Sequence, residues 1–124
     1  PAEDFGYYLH LEPGNCYAGA ALFQPSKTAL ARLRARLIDD PKELQDILAD
    51  PEFKTDFPDG LVTRRELSAL PNGVLDSDPA ALYLKMVGMG CRKDVPDALL
   101  LEDEVINLLI EIFRAARPLV CCFD

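Results

Sequence analysis

The sequence predicts an α+β fold, an antiparallel hairpin-based sheet of about three to four strands packed with about four to five helices. Three observations carry that prediction. Tyr7 to Glu12 and Cys16 to Gln24 are rich in aromatic and small apolar residues and flank the turn formers Pro13-Gly14-Asn15. Asp-Pro recurs at positions 40–41, 50–51 and 78–79, joining an acid that caps free amides to the residue best tolerated at a first helical position. Late in the chain, Val105, Leu108, Leu109, Ile112, Phe113 and Ala116 recur with the spacing of one buried helical stripe.

In the hairpin, Pro13 to Asn15 read as a three-residue loop place Glu12 opposite Cys16. The pairing then continues as Leu11 with Tyr17, His10 with Ala18, Leu9 with Gly19 and Tyr8 with Ala20. Side chains alternate along a strand, so Tyr7, Leu9 and Leu11 join Tyr17, Gly19, Ala21 and Phe23 on a face expected to be core. Tyr8, His10 and Glu12 then stand on the other face with Cys16, Ala18, Ala20 and Leu22. Small residues beneath a polar cluster either admit a closely packed helix, as small sheet residues commonly do, or leave a groove.

Pro1 to Phe5 is a short lead-in, and after the hairpin Ser26 is the expected N-cap of a helix whose stripe is Leu30, Leu33 and Leu37, flanked by Arg32, Arg34 and Arg36. Asp40-Pro41 opens a second helix with Leu44, Ile47 and Leu48 inside, and Phe53 with Phe57 anchors a short third one ending at Pro58-Asp59-Gly60. Residues 61–70 fit a loop with a short strand, although Thr63 to Glu66 also matches a capping box. Pro71-Asn72-Gly73 is a turn, and Asp78-Pro79 opens a helix to about Lys85 with Leu82 and Leu84 available for burial. Gly88 and Gly90 spoil a helix over Met86 to Arg92 and suit a strand that another backbone approaches closely. The last helix begins at the acids Glu102, Asp103 and Glu104, and Pro118 is expected to kink or restart it.

At 124 residues the chain fits a single domain, residues 1–124, able to bury about two thirds of its unfolded surface. A net charge of −8 and a pI near 4.6 lack the basic footprint that nucleic acid or an anionic membrane requires, so neither is expected as a partner. The cysteines at 16, 91, 121 and 122 have neither metal-type spacing nor the density of a secreted disulfide scaffold. Reduced thiols, a cytoplasmic location, no metal and no cofactor are the expectation. No apolar run is long enough to span a bilayer, no stretch reads as a signal peptide with a basic start and apolar middle, and Pro1 in place of an initiator Met is expected to follow a processing or expression boundary. There are no internal repeats or low-complexity tracts.

Several stretches resemble one family, the bacterial and fungal conserved hypothetical proteins of domain of unknown function 2461. They are Tyr7-Tyr8-Leu9-His10-Leu11-Glu12-Pro13, Gly19-Ala20-Ala21-Leu22-Phe23-Gln24-Pro25 leading into the Leu/Arg helix, Pro71-x-Gly73 followed by Asp78-Pro79, and Arg117-Pro118-Leu119. The resemblance covers nearly the whole chain and implies that it is the later, C-terminal part of a longer family domain. The family's earlier half carries Arg-Asp and Asp-Lys-x-Pro-Tyr-Lys type motifs that do not occur here. Its turn has a basic residue and an aromatic around the Gly, where this chain has Asn72 and Val74.

His10 is the only histidine, so a Ser or Cys nucleophile with a histidine base must use it. Cys16 lies diagonal to it in the expected register and Glu12 could orient the ring; the plainer alternative is an imidazole hydrogen-bonded between strands. The acid pairs Asp39-Asp40, Asp76 with Asp78, and Glu102 to Glu104 fall where helices and turns use acids as caps. Phosphate-loop, dinucleotide, His-Glu-x-x-His and Gly-x-Ser-x-Gly patterns do not occur. Arg34 and the Arg64-Arg65 pair are cations that either face solvent or meet an anion. The tail from Leu119 to Phe123, if exposed, would favour a homo-oligomer; otherwise it packs on the sheet. The function expected is a binding or assembly module for a small molecule or a protein. The competing expectation is an enzyme acting on a small or anionic substrate, with Tyr8, His10, Glu12 and either Arg34 or Arg65 converging over Ala18 and Ala20.

Overall fold

Three antiparallel strands, β1 (Gly6–His10), β2 (Tyr17–Leu22) and β3 (Met89–Asp94), lie in the order β1-β2-β3. Between β2 and β3 come helices α1 (Lys27–Asp39), α2 (Pro41–Ala49), α3 (Pro51–Asp56) and the single turn α4 (Ala81–Leu84). A 3-10 segment (Asp97–Leu101) and the long α5 (Glu104–Cys122) follow β3. This computed structural model describes residues 3–71 and 73–123; Pro1 and Ala2 of the lead-in, Asn72 of the expected turn, and Asp124 lie outside them. The α+β class is as the sequence predicts.

The hairpin register is not. The Asn15 N–H donates to the Glu12 carbonyl at 2.8 Å and Gly14 takes φ 74, so Pro13 and Gly14 are the central pair of a type II turn. With Asn15 drawn out of the loop, the pairs become His10 with Tyr17, Leu9 with Ala18, Tyr8 with Gly19 and Tyr7 with Ala20. A one-residue slip exchanges the faces of one strand relative to the other. Tyr7 and Leu9 therefore share a face with Ala18 and Ala20, while Tyr8 and His10 share one with Tyr17, Gly19 and Ala21.

The core lies on the alanine face. Ala18, Ala20, Leu22, Met89 and Cys91 meet Ile112, Ala116 and Leu119 of α5, all essentially closed to water. The alanines keep the helix close, and each fully buried Leu or Ile beside them contributes about 1.5–3 kcal/mol of transfer free energy. Also on this side, the Lys93 ammonium bonds the Asp56 carboxylate of α3 at 2.6 Å, which is what makes Asp56 tolerable at only 6% exposure.

Local chemistry sets the helix ends. Ser26 Oγ accepts from the Ala29 N–H at 3.0 Å, and Asp50 Oδ2 from Phe53 N–H at 3.2 Å. Asp40 makes no such cap bond, whereas Asp78 Oδ1 accepts from the Ala80 N–H at 2.9 Å just before α4. Leu84 is buried, but Leu82, expected to share that role, is 61% exposed. Residues 61–70 form no helix; Val62 and Glu66 make single bridges to Gly90 and Met86. The Thr63 hydroxyl, the expected cap, donates to the Gly88 carbonyl. Gly88 sits at φ 83 with the Leu22 carbonyl 2.5 Å from where a Cβ would be, which is the close approach its sequence predicts. Pro118 neither restarts nor ends α5, which continues to Cys122 with Leu119 and Cys122 buried. Phe123 stacks on Phe5 at 5.2 Å, and Cys121 is exposed.

Candidate functional site

The side of the sheet away from α5 carries a layer of rings and guanidinium groups. Tyr8 pairs with Gly19, and the missing side chain lets its ring lie across β2, so that its hydroxyl reaches the Cys91 carbonyl of β3 at 3.3 Å. The ring meets Tyr17 edge-on at 5.9 Å and Phe23 at 5.7 Å. His10 lies flat against Tyr17, with centroids 4.5 Å apart and planes 14° apart. The Arg92 guanidinium sits 4.7 Å from the centre of the Tyr17 ring, and that of Arg64 4.9 Å from the centre of Phe23.

Each stacked cation contributes about 0.5–1 kcal/mol at an exposed site. The larger effect is positional: stacking fixes the plane of each guanidinium while its N–H edges remain available. Neither Arg64 nor Arg92 takes part in a side-chain hydrogen bond or ion pair among the described residues. Burial, then the neighbouring Cys91 thiol and Tyr17 phenol, push the Tyr8 hydroxyl up to about 12, while Arg92 and Arg64 pull it down. Tyr8 is thus a neutral donor, held to a backbone carbonyl, with two cations nearby.

The expected convergence over Ala18 and Ala20 does not occur, because those residues lie beneath α5 on the opposite face. Cys16 is buried and its thiol donates to the Glu12 carbonyl at 3.2 Å, so the shifted register also separates it from His10. Glu12 serves the turn, its Oε1 accepting from Asn15 Nδ2 at 2.7 Å and standing 4.0 Å from His10 Nε2. Arg65 is exposed, with its backbone carbonyl accepting from the Val87 N–H. Arg34 lies on α1. Tyr17, Phe23 and Arg92 were not singled out by sequence reasoning; the alternation Gly90-x-Arg92-x-Asp94 places Arg92 on Gly19's face only once β3 is paired with β2.

Concave sites lie away from the rings, one of them bordering this face at Arg92. A cavity of about 230 Å³ is lined by Phe5, Leu22, Leu33 and Val120, but the arginines at its rim are already engaged, Arg32 with Glu3 at 3.7 Å and Arg36 with Glu43 at 2.9 Å. Another of about 300 Å³ beside β3 mixes Arg92 and Lys93 with Asp56, Asp59 and Asp94. No cluster of metal-binding side chains occurs among the described residues, and no helix among them is long and apolar enough to cross a membrane.

Fold and site together define a small α+β domain with a helix-covered face and a ring-and-arginine face on one three-stranded sheet. The chain belongs to the family described as conserved hypothetical protein (DUF2461), whose model matches residues 1–121. No curated protein and no solved structure matches it.

Proposed function

We propose that this domain is a binding module whose recognition surface is the face formed by Tyr8, His10, Tyr17, Phe23, Arg64 and Arg92, and that its partner is a protein segment presenting carboxylates. The observation that carries this reading is the pair of guanidinium groups over aromatic rings with no acid among the described residues engaging them. Tyr, Phe and Arg are the side chains enriched at the centres of protein interfaces. Among the described residues no cavity lined by its rings is seen, and such an open face suits a protein surface better than a small molecule, which is normally held in a concavity. The domain's own charge of −8 disfavours long-range attraction of an acidic partner, so recognition depends on contact at these cations rather than on steering.

The test is a titration of the isotope-labelled chain with a glutamate-rich peptide, using a lysine-rich peptide as control. Resonance shifts should centre on Tyr8, His10, Tyr17 and the two arginine side chains. The double variant Arg64→Ala, Arg92→Ala should weaken binding by about tenfold or more, the scale of losing interface cations, with only a small change in melting. Shifts centred on another surface, or undiminished binding by a folded double variant, would refute the reading.

A further inference from the structure

β1 is an edge strand, and no described residue pairs with its outer side. The bonding of β2 decides which of its main-chain groups face outward. The Val95 N–H donates to the Cys16 carbonyl, so the chain turns its peptide groups toward β3 at Cys16, Ala18 and Ala20, and toward β1 at Tyr17, Gly19 and Ala21. The partners of those last three, His10, Tyr8 and Gly6, are therefore the bonded residues of β1. The N–H and C=O groups of Tyr7 and Leu9 point off the sheet.

Native edge strands are commonly guarded by a charge, a proline or a bulge. Residues Gly6 to His10 contain no acid, lysine, arginine or proline, and their ladder with β2 is unbroken. Beside the edge an apolar surface continues onto α5. Tyr7 and Leu9 are exposed on the α5 side of the sheet, and the Tyr7 ring meets Phe113 at 5.3 Å. Around the helix axis Leu109 and Ile106 lie within about 40° and about 20° of Phe113, and Ile106 is exposed. The helix thus presents apolar side chains next to the last strand, where a fourth would lie.

We propose that a second copy of this chain adds its own β1 to this edge, joining two three-stranded sheets into one two-fold antiparallel sheet. With Tyr8 on the axis, Tyr7 of each copy stands opposite Leu9 of the other, and every outward N–H and C=O of the two strands is bonded. The strand is its own complement because its free groups are spaced evenly about Tyr8. On the ring side, Gly6 stands opposite His10. The Tyr8 and His10 rings both lean back over β2, Tyr8 to the Cys91 carbonyl and His10 onto Tyr17, which leaves the axis clear. On the helix side, each Tyr7 and Leu9 form an aromatic and aliphatic cross-strand pair that extends the surface of Leu109 and Ile106. The strands carry no charge to repel each other, whereas the whole chains, at −8 each, do repel, so salt favours the dimer. The ring-and-arginine faces stay open side by side, and neither proposal depends on the other.

The experiment is sedimentation velocity of the 124-residue chain from about 5 to about 500 µM, a range suited to a small interface, with a reductant so that the exposed Cys121 links no copies. The chain should pass from monomer to dimer across that range, and more completely at higher salt. Amide exchange locates the contact: protection of the Tyr7 and Leu9 N–H groups should rise with concentration by about tenfold or more, while Tyr8 and His10 are protected even in the monomer. Leu9→Lys guards the edge with a charge at a position already exposed, and should weaken dimerisation about tenfold or more while the dilute protein melts as before. The same change at the exposed Ile38 of α1 should leave dimerisation intact. A chain that stays monomeric throughout, its edge left for a strand of a different protein, would overturn the proposal. So would a dimer whose Tyr7 and Leu9 amides exchange freely, one that Ile38→Lys disrupts as much as Leu9→Lys does, or one that salt dissolves. Should Leu9→Lys fail to fold, the concentration dependence of the two wild-type amides decides the matter.

Discussion

On one face of the sheet, Ala18, Ala20 and Cys91 are fully buried beneath a helix; on the other, Tyr17 is almost as buried but beneath His10 and Arg92. The first face uses the smallest side chains so that apolar surface from α5 can come down onto it. The second uses large rings as its floor and leaves the covering to groups whose polar ends stay in water. Burial alone therefore does not distinguish a structural face from a recognition face. What distinguishes them is whether the covering layer could exchange its contacts for those of a partner, and stacked guanidinium groups can whereas α5 cannot.

The largest effect is expected where the two faces meet, at Gly19. A Cβ there would overlap the Cys91 carbonyl and intrude on the space that Tyr8 crosses. Gly19→Ala should destabilise the domain by about 4 kcal/mol, at the top of the range for single substitutions, as measured by urea denaturation; a loss below about 1 kcal/mol would mean that the strands adjust freely. On the helix side alone, Lys93→Met leaves Asp56 buried and uncompensated. One-sided loss of a fully buried pair costs about 3–5 kcal/mol, and the partial exposure of Lys93 reduces the expectation to about 2 kcal/mol. Adding Asp56→Leu should recover much of that loss, and a double-mutant cycle in urea measures the coupling.

The smallest effect concerns the ring side and alkaline pH. The Tyr8 phenol ordinarily titrates near 10 and in the fold near 12, chiefly because of burial, so folding favours its protonated form. The stabilisation is complete below pH 10 and is lost as pH rises from 10 through 12. Burial likewise raises the Cys91 thiol from 9 to about 11 and, with help from Glu43, the Cys122 thiol to about 12, so the decline begins already near pH 9. Tyr8→Phe should make the decline shallower above pH 10 and leave the thiol contribution, which begins near pH 9, in place, read from urea midpoints between pH 8 and 12; an unchanged curve would mean that Tyr8 does not face a buried environment.

Much of the architecture was legible because it rests on local chemistry. Ser26 and Asp50 cap as their positions suggest, the periodic stripe of α5 is the one that packs, and Gly88 and Gly90 mark close approaches. The candidate face was only half legible. Tyr8 and His10 do project together, but a single residue of loop length decided which side of β2 they joined, and Pro-Gly and Pro-Gly-Asn loops are equally good turn formers in isolation. Arg92 and Arg64 come to that face through contacts distant in sequence, which no local pattern encodes. Asp40 shows the same limit on a smaller scale: it stands before Pro41 as Asp50 stands before Pro51, yet at ψ 76 its carboxylate makes no cap bond.

Pro118 brings no N–H to α5, so the rung that would have ended on the Arg114 carbonyl is missing and the final turn is fastened from the side, by Leu119, Cys122 and the stack of Phe123 on Phe5. Thermal loosening of that turn would also release Phe5, although the two phenylalanines lie at opposite extremes of the described chain. The segment entering β1 and the segment leaving α5 thus behave as a clasp: neither can come undone without slackening the other.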